Sequence, residues 1–284
     1  MILVTGATGH VGAELVRRLA SAGAEPVRAM TRRPEAFTAL PGVRVVRGDA
    51  DDPASLCAAF HGVERAFLMS AEPVGGGGRR PTQLPRLVEA AVRAGVRHVV
   101  ALSVYTGGGG GDVIAEWCGR IEGAVTDSGM DWTLLRPGRF MSNALHWAPM
   151  IQRGDDITIP FAHRPAASID PADIAAVAAL ALTTDDHRGA AYQLSGPEAH
   201  TPAEELSVLA ELLDRPLRAI DPPLDTVRAG MRRGGVTDEV FDAMVARTLG
   251  SDVGTELLPT VAELLGRPPG RFADWARTHL DQFR

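Results

Sequence analysis

A serine and a tyrosine follow the apolar segment at residues 98–102, and the stretch raises the question of whether it is a catalytic edge. Tyr105 could donate a hydrogen bond to a substrate, or it could only pack. His146 is a second candidate, because an imidazole titrates near neutral pH and can act as a general acid; a structural role is the alternative. The sequence contains no lysine, and all 29 Lys+Arg residues are arginines. Any mechanism that needs a lysine ammonium is therefore excluded.

Three glycines in the segment TGATGHVG have the spacing of a phosphate-binding turn. Gly6, Gly9 and Gly12 permit a tight turn and let backbone N–H groups approach a pyrophosphate at a helix N-terminus, where the helix dipole also favours an anion. The segment follows an apolar strand pattern and opens an amphipathic helix pattern, which is the context that such a turn requires. A glycine turn used only for packing is the alternative. We predict a dinucleotide site that also includes Thr8, His10 and Val11.

The end of the second predicted strand indicates which dinucleotide is bound. An NAD site usually has an acidic residue there, about 20 residues after the glycines, whereas an NADP site has an arginine for the 2′-phosphate. In RAMTRRPE, Arg32 comes first after the strand and Arg33 stands next to it, while Glu25 and Glu35 are poorly placed. The sequence therefore predicts NADP(H) as the cofactor, and a solvated arginine pair is the alternative.

An acidic segment, RGDADDP, ends the third predicted strand. Three carboxylates on one short loop, without a histidine at ligand spacing, make a poor metal site, so no metal is predicted. We expect Asp49 and Ala50 to border the adenine, and Asp52 to cap the helix that starts at Pro53.

The elements that must position these residues alternate between short apolar runs and helical patterns over the first half of the chain. This order predicts an α/β fold with a Rossmann-type, doubly wound parallel sheet. After about residue 150 the pattern loosens, which predicts a small C-terminal α/β substrate region. The expected division is an NAD(P)-binding domain at 1–150 and a substrate-binding region at 151–284. The strands expected in the first domain are 2–5, 26–31, 43–47, 66–69, 98–103 and 132–135.

Composition restricts the class of protein. The 284 residues can bury a full core, and a net charge of −6 with scattered arginines argues against nucleic-acid binding. No apolar run is long enough to cross a membrane, and the first residues lack the basic and apolar regions of a signal peptide. Two cysteines are too few for a disulfide framework and fit a reducing compartment. We expect a cytoplasmic monomer or homodimer that acts on a small molecule.

With these motifs in place, the chain resembles the atypical short-chain dehydrogenase/reductases of the NmrA-like, NAD(P)H-binding group. The matching segments are TGATGHVG, RAMTRRPE, GDADD, HVVALS, IEGAVTDSGMDWTLLRPGRFMSN and SIDPADIAAVA. The resemblance implies that the nicotinamide lies near the ends of the fourth and fifth strands and the RPGRFM loop. Six residues then join the cofactor site: Met69, Ser70, Ser103, Pro137, Gly138 and Phe140. The expected substrate pocket is lined by Tyr105, Cys118, Phe140, Met141, Asn143 and Trp147.

Large relatives in the wider group use a serine followed by a Tyr-x-x-x-Lys pair, in which the lysine lowers the pKa of the tyrosine. Ser103 occupies the serine position and is expected, with Tyr105, to orient the acceptor oxygen, but the lysine position holds Gly109. Related reductases often have a lysine or histidine four residues before the glutamate that corresponds to Glu122, where this chain has Cys118. A packing role is favoured for Cys118 over a nucleophilic one, because no neighbour in the sequence would stabilise a thiolate.

The leading prediction is an NADPH-dependent reductase that works without a Tyr/Lys pair. It would transfer hydride to a small, largely apolar conjugated acceptor of the quinone, enone or imine type. A non-catalytic NADP(H)-binding redox sensor or regulatory protein is the alternative, which the missing pair keeps open.

Two glycine runs, 75–78 and 107–111, follow the fourth and fifth predicted strands. Glycine loses more freedom than any other residue when a chain becomes ordered. These loops are therefore expected to be mobile and to close over the substrate; an unconstrained linker is the alternative.

Overall fold

The computed structural model describes residues 1–23, 25–70, 81–104 and 111–284. Tyr105 and the glycines at 75–78 and 107–110, for which the sequence predicts a substrate contact and a lid, lie outside these ranges. Within them the strands are β1 (Ile2–Val4), β2 (Val27–Thr31), β3 (Val43–Arg47), β4 (Arg65–Leu68), β5 (His98–Leu102), β6 (Asp131–Pro137), β7 (Asp156–Thr158), β8 (Ala190–Leu194) and β9 (Arg218–Ile220). The six strands expected in the first domain are all present as β1 to β6.

Helices connect and cover these strands. They are α1 (His10–Ala22), α2 (Pro53–Phe60), α3 (Gln83–Arg93), α4 (Val113–Thr126), α5 (Ala148–Ile151), α6 (Pro171–Thr183), α7 (Pro202–Leu213), α8 (Leu224–Arg233), α9 (Asp238–Gly250), α10 (Thr260–Leu265) and α11 (Phe272–Thr278). Short 3-10 helices occupy Pro34–Ala36, Met141–Trp147 and Leu280–Gln282. Among the described residues, none of the helices is both long and apolar enough to span a bilayer.

Seven parallel strands form the main sheet in the order β3-β2-β1-β4-β5-β6-β8. The chain reverses its direction across the sheet at β1, which pairs with β2 on one side and with β4 on the other. In sheets of this kind, ligands bind in the crevice beyond the carboxyl ends of the strands at such a switch point. The predicted Rossmann-type fold is confirmed, and its crevice lies where TGATGHVG leaves β1.

The inner strands β1, β2, β4 and β5 are buried on both faces, as is usual for a parallel sheet covered by helices, whereas the edge strands β3 and β8 are partly exposed. Ile2 and Val4 face a core shared with α1 and α6, whereas Leu3 faces a second core that includes residues of α2, α3 and α4. Side chains alternate between the two faces of a strand, so a three-residue apolar strand serves both layers. The layers hold the carboxyl edge of the sheet, and the groups carried there, in a fixed position.

A buried histidine links β5 to β6 inside the sheet. His98 is 1% exposed, and its Nε2 lies 3.1 Å from Oγ1 of Thr133. Because the Thr133 hydroxyl donates to the carbonyl oxygen of His187 at 2.7 Å, it must accept from Nε2–H of His98. Burial, followed by the charges of Arg65 and Arg188, lowers the pKa of His98 to about 4. The imidazole is therefore neutral at pH 7.

Residues after about 150 form a second lobe around the strands β7 and β9. This lobe has its own core, but it is not a continuous stretch of sequence. β7 and β9 pair in a small parallel sheet, and the adjoining core includes Ile157, Leu206 and Phe272. After residue 150, however, the chain returns to the large sheet, because α6 packs along α1 and β8 pairs with β6. The expected division at residue 150 therefore needs this correction: residues 171–194 belong with the dinucleotide-binding layers.

Candidate functional site

The glycine-rich turn between β1 and α1 leaves no room for larger residues at two positions. Gly6 has a φ of +60°, and a Cβ there would lie 2.5 Å from Sδ of Met69. A Cβ on Gly12 would lie 2.2 Å from the carbonyl oxygen of Gly6, and the Gly9 N–H donates to the same oxygen at 2.9 Å. Only glycine lets the backbone follow this path. The turn therefore forms a cradle in which a phosphate group can approach the main chain.

The first turn of α1 presents backbone donors to this cradle. The helix begins at His10, and its N-cap residue, Gly9, contributes no side-chain hydrogen bond. The first N–H groups of an α-helix have no acceptor within the helix, and the helix dipole adds a partial positive charge there. The Val11 side chain is 1% exposed, so this residue offers only its backbone. The predicted donors at His10, Val11 and Gly12 fit the pyrophosphate of a dinucleotide.

Thr5 fixes the end of β4 beside the glycine turn. Its hydroxyl accepts from the N–H of Met69 at 2.8 Å and donates to the carbonyl oxygen of Met69 at 3.1 Å. Met69 is thereby held against Gly6, and Ser70 follows it, half-buried. Sequence reasoning missed Thr5, because a threonine at the end of an apolar strand carries no signal that separates this link from ordinary packing.

A cavity of about 220 Å³ opens beside the turn, at the carboxyl ends of β2 and β3. It brings together a subset of the predicted cofactor residues: Gly6, Thr8, Gly9, Arg32, Asp49, Ala50 and Met69. Sequence reasoning missed the other lining residues: Thr5, Met30, Thr31, Gly48, Gln83 and Leu87. The cavity lies on the side of the sheet where the adenosine half of a dinucleotide is expected.

Arg32 is the cation of this cavity. Its side chain is exposed, and in the described part of the chain no carboxylate forms an ion pair with it. The neighbouring Arg33 is also exposed but does not line the cavity. An arginine with open N–H donors at this position suits a phosphate on the adenosine ribose. The structure therefore favours Arg32 over Arg33 as the contact to the 2′-phosphate.

The acidic loop after β3 closes the opposite side of the cavity. Asp52 accepts from the N–H of Ser55 at 3.4 Å and caps α2, as predicted. The Asp49 N–H donates to Oγ of Ser55 at 2.9 Å, which holds the loop against the start of the helix. Within the described ranges, no group of three or more His, Cys, Asp and Glu side chains could hold a metal ion. The carboxylates of this loop thus shape the cavity wall and cap a helix.

Ser103 lies at the carboxyl end of β5, and its hydroxyl hydrogen is bound to a carboxylate. The Ser103 hydroxyl donates a hydrogen bond to Oε1 of Glu122 at 2.6 Å. Arg136, from β6, donates to both oxygens of that carboxylate, at 2.8 Å from Nε and 2.6 Å from Nη2. In this geometry the Ser103 oxygen can accept a hydrogen bond but has no hydrogen left to donate. This corrects the expectation that Ser103 orients an acceptor oxygen directly.

Cys118 lies in the interior, one turn of α4 before Glu122. Its side chain is 4% exposed. Burial, followed by the charge of Glu122, raises the pKa of Cys118 to about 11. The thiol is therefore neutral and packs as a small apolar group. Its expected place on the wall of the substrate pocket is corrected, and the packing role predicted for it is favoured.

The segment after β6 carries the predicted nicotinamide contacts to the same edge as Ser103. Pro137 ends β6, and Gly138 donates its N–H to the carbonyl oxygen of Leu194 at 3.0 Å. Phe140 forms a β-bridge with Ile169 and is half-buried. These contacts place Pro137, Gly138 and Phe140 at the carboxyl edge, where their predicted role is geometrically possible.

The 3-10 helix that follows turns its apolar residues away from this edge. Met141 and Trp147 are 2% and 6% exposed and belong to the core of the second lobe. Both side chains contribute apolar area to that core, and their expected role as pocket lining stays a prediction. Asn143 and His146 stand on the opposite side of the helix and are exposed.

His10 faces a cleft of about 650 Å³ on the outer side of the glycine turn, together with Asp170 and His279. Burial, followed by the charges of His279 and His146, lowers the pKa of His10. Burial also raises the pKa of Asp170. The imidazole of His10 is neutral at pH 7, so backbone donors rather than a histidine cation face the pyrophosphate position.

The comparison with known families agrees with this geometry. A family model described as NAD(P)H-binding matches residues 6–185, which is more than half of the chain. The chain belongs to the NAD(P)H-binding family. The matched range begins at Gly6 and ends after α6, so it includes the cradle, the Arg32 cavity and the carboxyl edge around Ser103.

Members and relatives of this family with known activities align along the whole chain. The chain is 41% identical over 288 residues to the (4-alkanoyl-5-oxo-2,5-dihydrofuran-3-yl)methyl phosphate reductase of Streptomyces griseus, covering 100% of this chain and 99% of that protein. It is 34% identical over 291 residues to the NAD(P)H azoreductase of Xenophilus azovorans, with coverage of 100% and 99%. A crystal structure of an Escherichia coli NADPH-dependent quinone oxidoreductase with NADPH superposes with a TM-score of 0.76 at 27% identity, covering 98% and 99% of the two chains.

Taken with the geometry, these relationships confirm the predicted enzyme class and cofactor. The protein is an NADPH-dependent reductase, and its resemblance to the NmrA-like, atypical short-chain reductases is confirmed. The regulatory alternative has no comparable support, since the full-length relatives named above are reductases.

Proposed function

We propose that the protein reduces the carbon–carbon double bond of a conjugated carbonyl compound, with unsaturated lactones of the 2,5-dihydrofuranone kind as the substrate class. The named relatives act on an acylated dihydrofuranone, an azo compound and a quinone. These acceptors share one chemical property, because hydride addition to each gives an anion that is delocalised over electronegative atoms or rings. NADPH supplies the hydride.

An acylated dihydrofuranone shows why such an acceptor suits this chain. In the compound of the Streptomyces griseus relative, one carbon of the ring double bond bears the acyl group and the other bears a substituted hydroxymethyl group. The double bond is conjugated with the lactone carbonyl and with the acyl carbonyl. Hydride adds to the ring carbon that bears the hydroxymethyl group, the π bond breaks, and the electron pair moves to the neighbouring ring carbon. Both carbonyl oxygens share the resulting enolate charge. A proton from water then completes the new C–H bond, so no strong acid is needed.

The observation that carries the proposal is the hydrogen bond from Ser103 to Glu122 at 2.6 Å in a sequence without lysine. Reduction of a simple ketone produces a localised alkoxide, and a positioned general acid typically contributes about 10²–10⁴ in rate. Ser103 has no hydrogen to give in this arrangement, and the Cys118 thiol, with a pKa of about 11, is a poor acid. A substrate whose anion stabilises itself avoids this requirement.

Several residues retain supporting roles in the proposal. The oxygen of Ser103, which donates its hydrogen to Glu122, is proposed to accept a hydrogen bond from the nicotinamide. Tyr105 follows Ser103 in the sequence by two residues and is proposed to donate a hydrogen bond to the enolate oxygen. His146, exposed on the 3-10 helix, is retained as a secondary candidate for proton delivery.

The test compares acceptors of similar size that differ in conjugation. NADPH oxidation is followed with an acyl dihydrofuranone, a quinone, a cyclic enone, and a saturated aliphatic ketone as the matched control. The proposal expects turnover of the conjugated compounds and a rate at least about 10²-fold lower for the ketone. Equal rates for the enone and the ketone would show that the site holds a strong acid.

The cellular setting is part of the proposal. Cys57 is exposed and Cys118 is buried, and both are free thiols, which suits a reducing compartment such as the cytoplasm. A monomer or a homodimer is proposed as the working form, acting on a small molecule rather than on nucleic acid or a membrane. Light scattering of the purified protein would distinguish the two assembly states.

A further inference from the structure

A second cavity, lined by three arginines, adjoins the carboxyl edge of the sheet. Its volume is about 350 Å³, and its cations are Arg139, Arg164 and Arg247. We infer that this arginine cavity binds a phosphate monoester carried by the acceptor. The inference rests on the proposed function, since it names the group by which the conjugated lactone is held.

The position of the arginine cavity fits a substrate subsite. Arg139 follows the last residue of β6 by two positions, and its carbonyl oxygen accepts from Ile169 at 2.8 Å. Arg247 lies on α9 and binds Asp112. Asp112 is the N-cap residue of α4, the helix that comes after β5 in the chain. The cavity therefore extends from the edge at which hydride transfer is proposed into the second lobe.

Arg139 forms an ion pair with a buried carboxylate. Its Nη1 lies 2.8 Å from Oε2 of Glu205, whose side chain is 1% exposed. Glu205 also accepts from the Ser168 hydroxyl at 2.7 Å. The Arg139 guanidinium carbon lies 5.8 Å from the ring centroid of Trp147, which adds a cation–π contact. A guanidinium has five N–H donors, so this anchoring leaves donors for a further anion.

Arg247 is anchored in the same way from the other side. Its Nε and Nη2 donate to the two oxygens of Asp112 at 2.7 and 3.0 Å. Such a bidentate pair fixes the plane of the guanidinium. Arg139 and Arg247 thus reach the cavity from two directions, each in an orientation set by its own carboxylate.

Arg164 is the third cation of the arginine cavity. Its Nη2 donates to the carbonyl oxygen of Leu249 at 2.9 Å, and among the described residues no carboxylate pairs with it. One acidic residue, Asp252, also lines the cavity. A phosphate monoester carries about −1.5 to −2 charges at neutral pH, so it would be attracted by Arg164 and hydrogen-bonded by Arg139.

Phosphate is the anion that the sequence relationship also indicates. The 41% identical Streptomyces griseus relative is named for a substrate with a methyl phosphate group. Planar guanidinium groups pair their N–H donors with phosphate oxygens, and a volume of about 350 Å³ is within the range of small-molecule sites. The arginine cavity therefore provides a specific place for that group on this chain.

The test compares a phosphorylated acyl dihydrofuranone with its free alcohol. Binding of each compound to the NADPH-loaded protein is measured by calorimetry at low salt, and kcat/KM is measured where turnover occurs. In the wild type the phosphorylated compound should bind at least about 10-fold more tightly. In Arg164→Met, which keeps an unbranched side chain but removes the guanidinium group, the ratio of the two affinities should fall roughly 10- to 150-fold. Arg153→Met, at an exposed arginine outside the cavity, is the matched control and should preserve the wild-type ratio.

The outcomes separate this inference from the proposed function. Turnover of both compounds with equal affinity in the wild type would overturn the phosphate site and leave the reductase proposal intact. Absence of turnover, with a binding preference that Arg164→Met removes, would support the site and overturn the proposed function. An equal loss of affinity for both compounds in Arg164→Met would show that Arg164 acts on folding or on the lactone, and would overturn the inference. Thermal denaturation of each variant reports its folding directly.

Discussion

Replacing Arg32 with alanine should separate the two nicotinamide cofactors. Arg32 lines the adenosine cavity and, within the described ranges, has no carboxylate partner. A hydrogen bond to a charged group is worth about 1.5–3 kcal/mol, which corresponds to a roughly 10- to 150-fold rise in the Kd for NADPH. NADH has no 2′-phosphate, so its Kd should barely change. Because the side chain is exposed, the free energy of unfolding without cofactor should also stay close to that of the wild type.

The assay is a fluorescence titration of each reduced cofactor with wild type, Arg32→Ala and Arg33→Ala. Arg33 is the matched control, since it is exposed next to Arg32 but does not line the cavity, and its replacement should have the smaller effect. Added salt should weaken NADPH binding to the wild type more than to Arg32→Ala, because ions screen the phosphate contact. An equal loss of NADPH and NADH affinity in Arg32→Ala would refute this role.

Three further predictions concern the cradle, the sheet and the catalytic edge. Gly12→Ala should lower the free energy of unfolding by about 1–3 kcal/mol and weaken NADPH binding, because the added Cβ would lie 2.2 Å from a backbone oxygen. The control for thermal melts is Gly119→Ala on α4, where no atom lies within 4 Å of the added Cβ. Burial lowers the pKa of His98 from 6.5 to about 4, so the unfolded chain binds more protons between these values. His98 should therefore account for about 3 kcal/mol of the stability that the wild type loses as pH falls from 7 to 4. Denaturant titrations should show a smaller loss for His98→Gln, and an unchanged pH dependence would refute the assignment. Tyr105→Phe should lower kcat only modestly in steady-state assays, whereas complete loss of activity would identify Tyr105 as an essential acid.

The fold could be predicted where the hydrophobic pattern of a segment matches its burial in the layers of the protein. Apolar runs such as Ile2–Val4 predict strands buried on both faces, and the glycine spacing at Gly6 to Gly12 predicts a turn that the backbone geometry requires. The return of the chain to the large sheet was harder to foresee. Most of α6 is buried, including Ile174, Val177 and Leu182, so its sequence has no polar face to indicate which core it joins.

The site was predictable at its cofactor end and less so at its chemical end. The sequence predicts Arg32 at the cavity that the structure shows, because the second strand of such a sheet usually ends beside the adenosine ribose. The bond between Ser103 and Glu122 joins residues 19 positions apart on different elements, and no periodic pattern encodes such a contact. Met141 was assigned to a pocket because apolar residues line both pockets and cores, and composition does not distinguish the two.

Isotope transfer from NADPH shows directly whether hydride goes to a carbon atom conjugated with a carbonyl group. NADPH carrying deuterium at the transferred position is incubated with the protein and a 4-acyl-3-hydroxymethyl-5-oxo-2,5-dihydrofuran, and the product is analysed by NMR. We expect one deuterium at the ring carbon that bears the hydroxymethyl group, a proton from solvent at the acyl-bearing carbon, and both carbonyl groups intact. Deuterium on a carbinol carbon, with the ring double bond retained, would show that the protein reduces a carbonyl group instead.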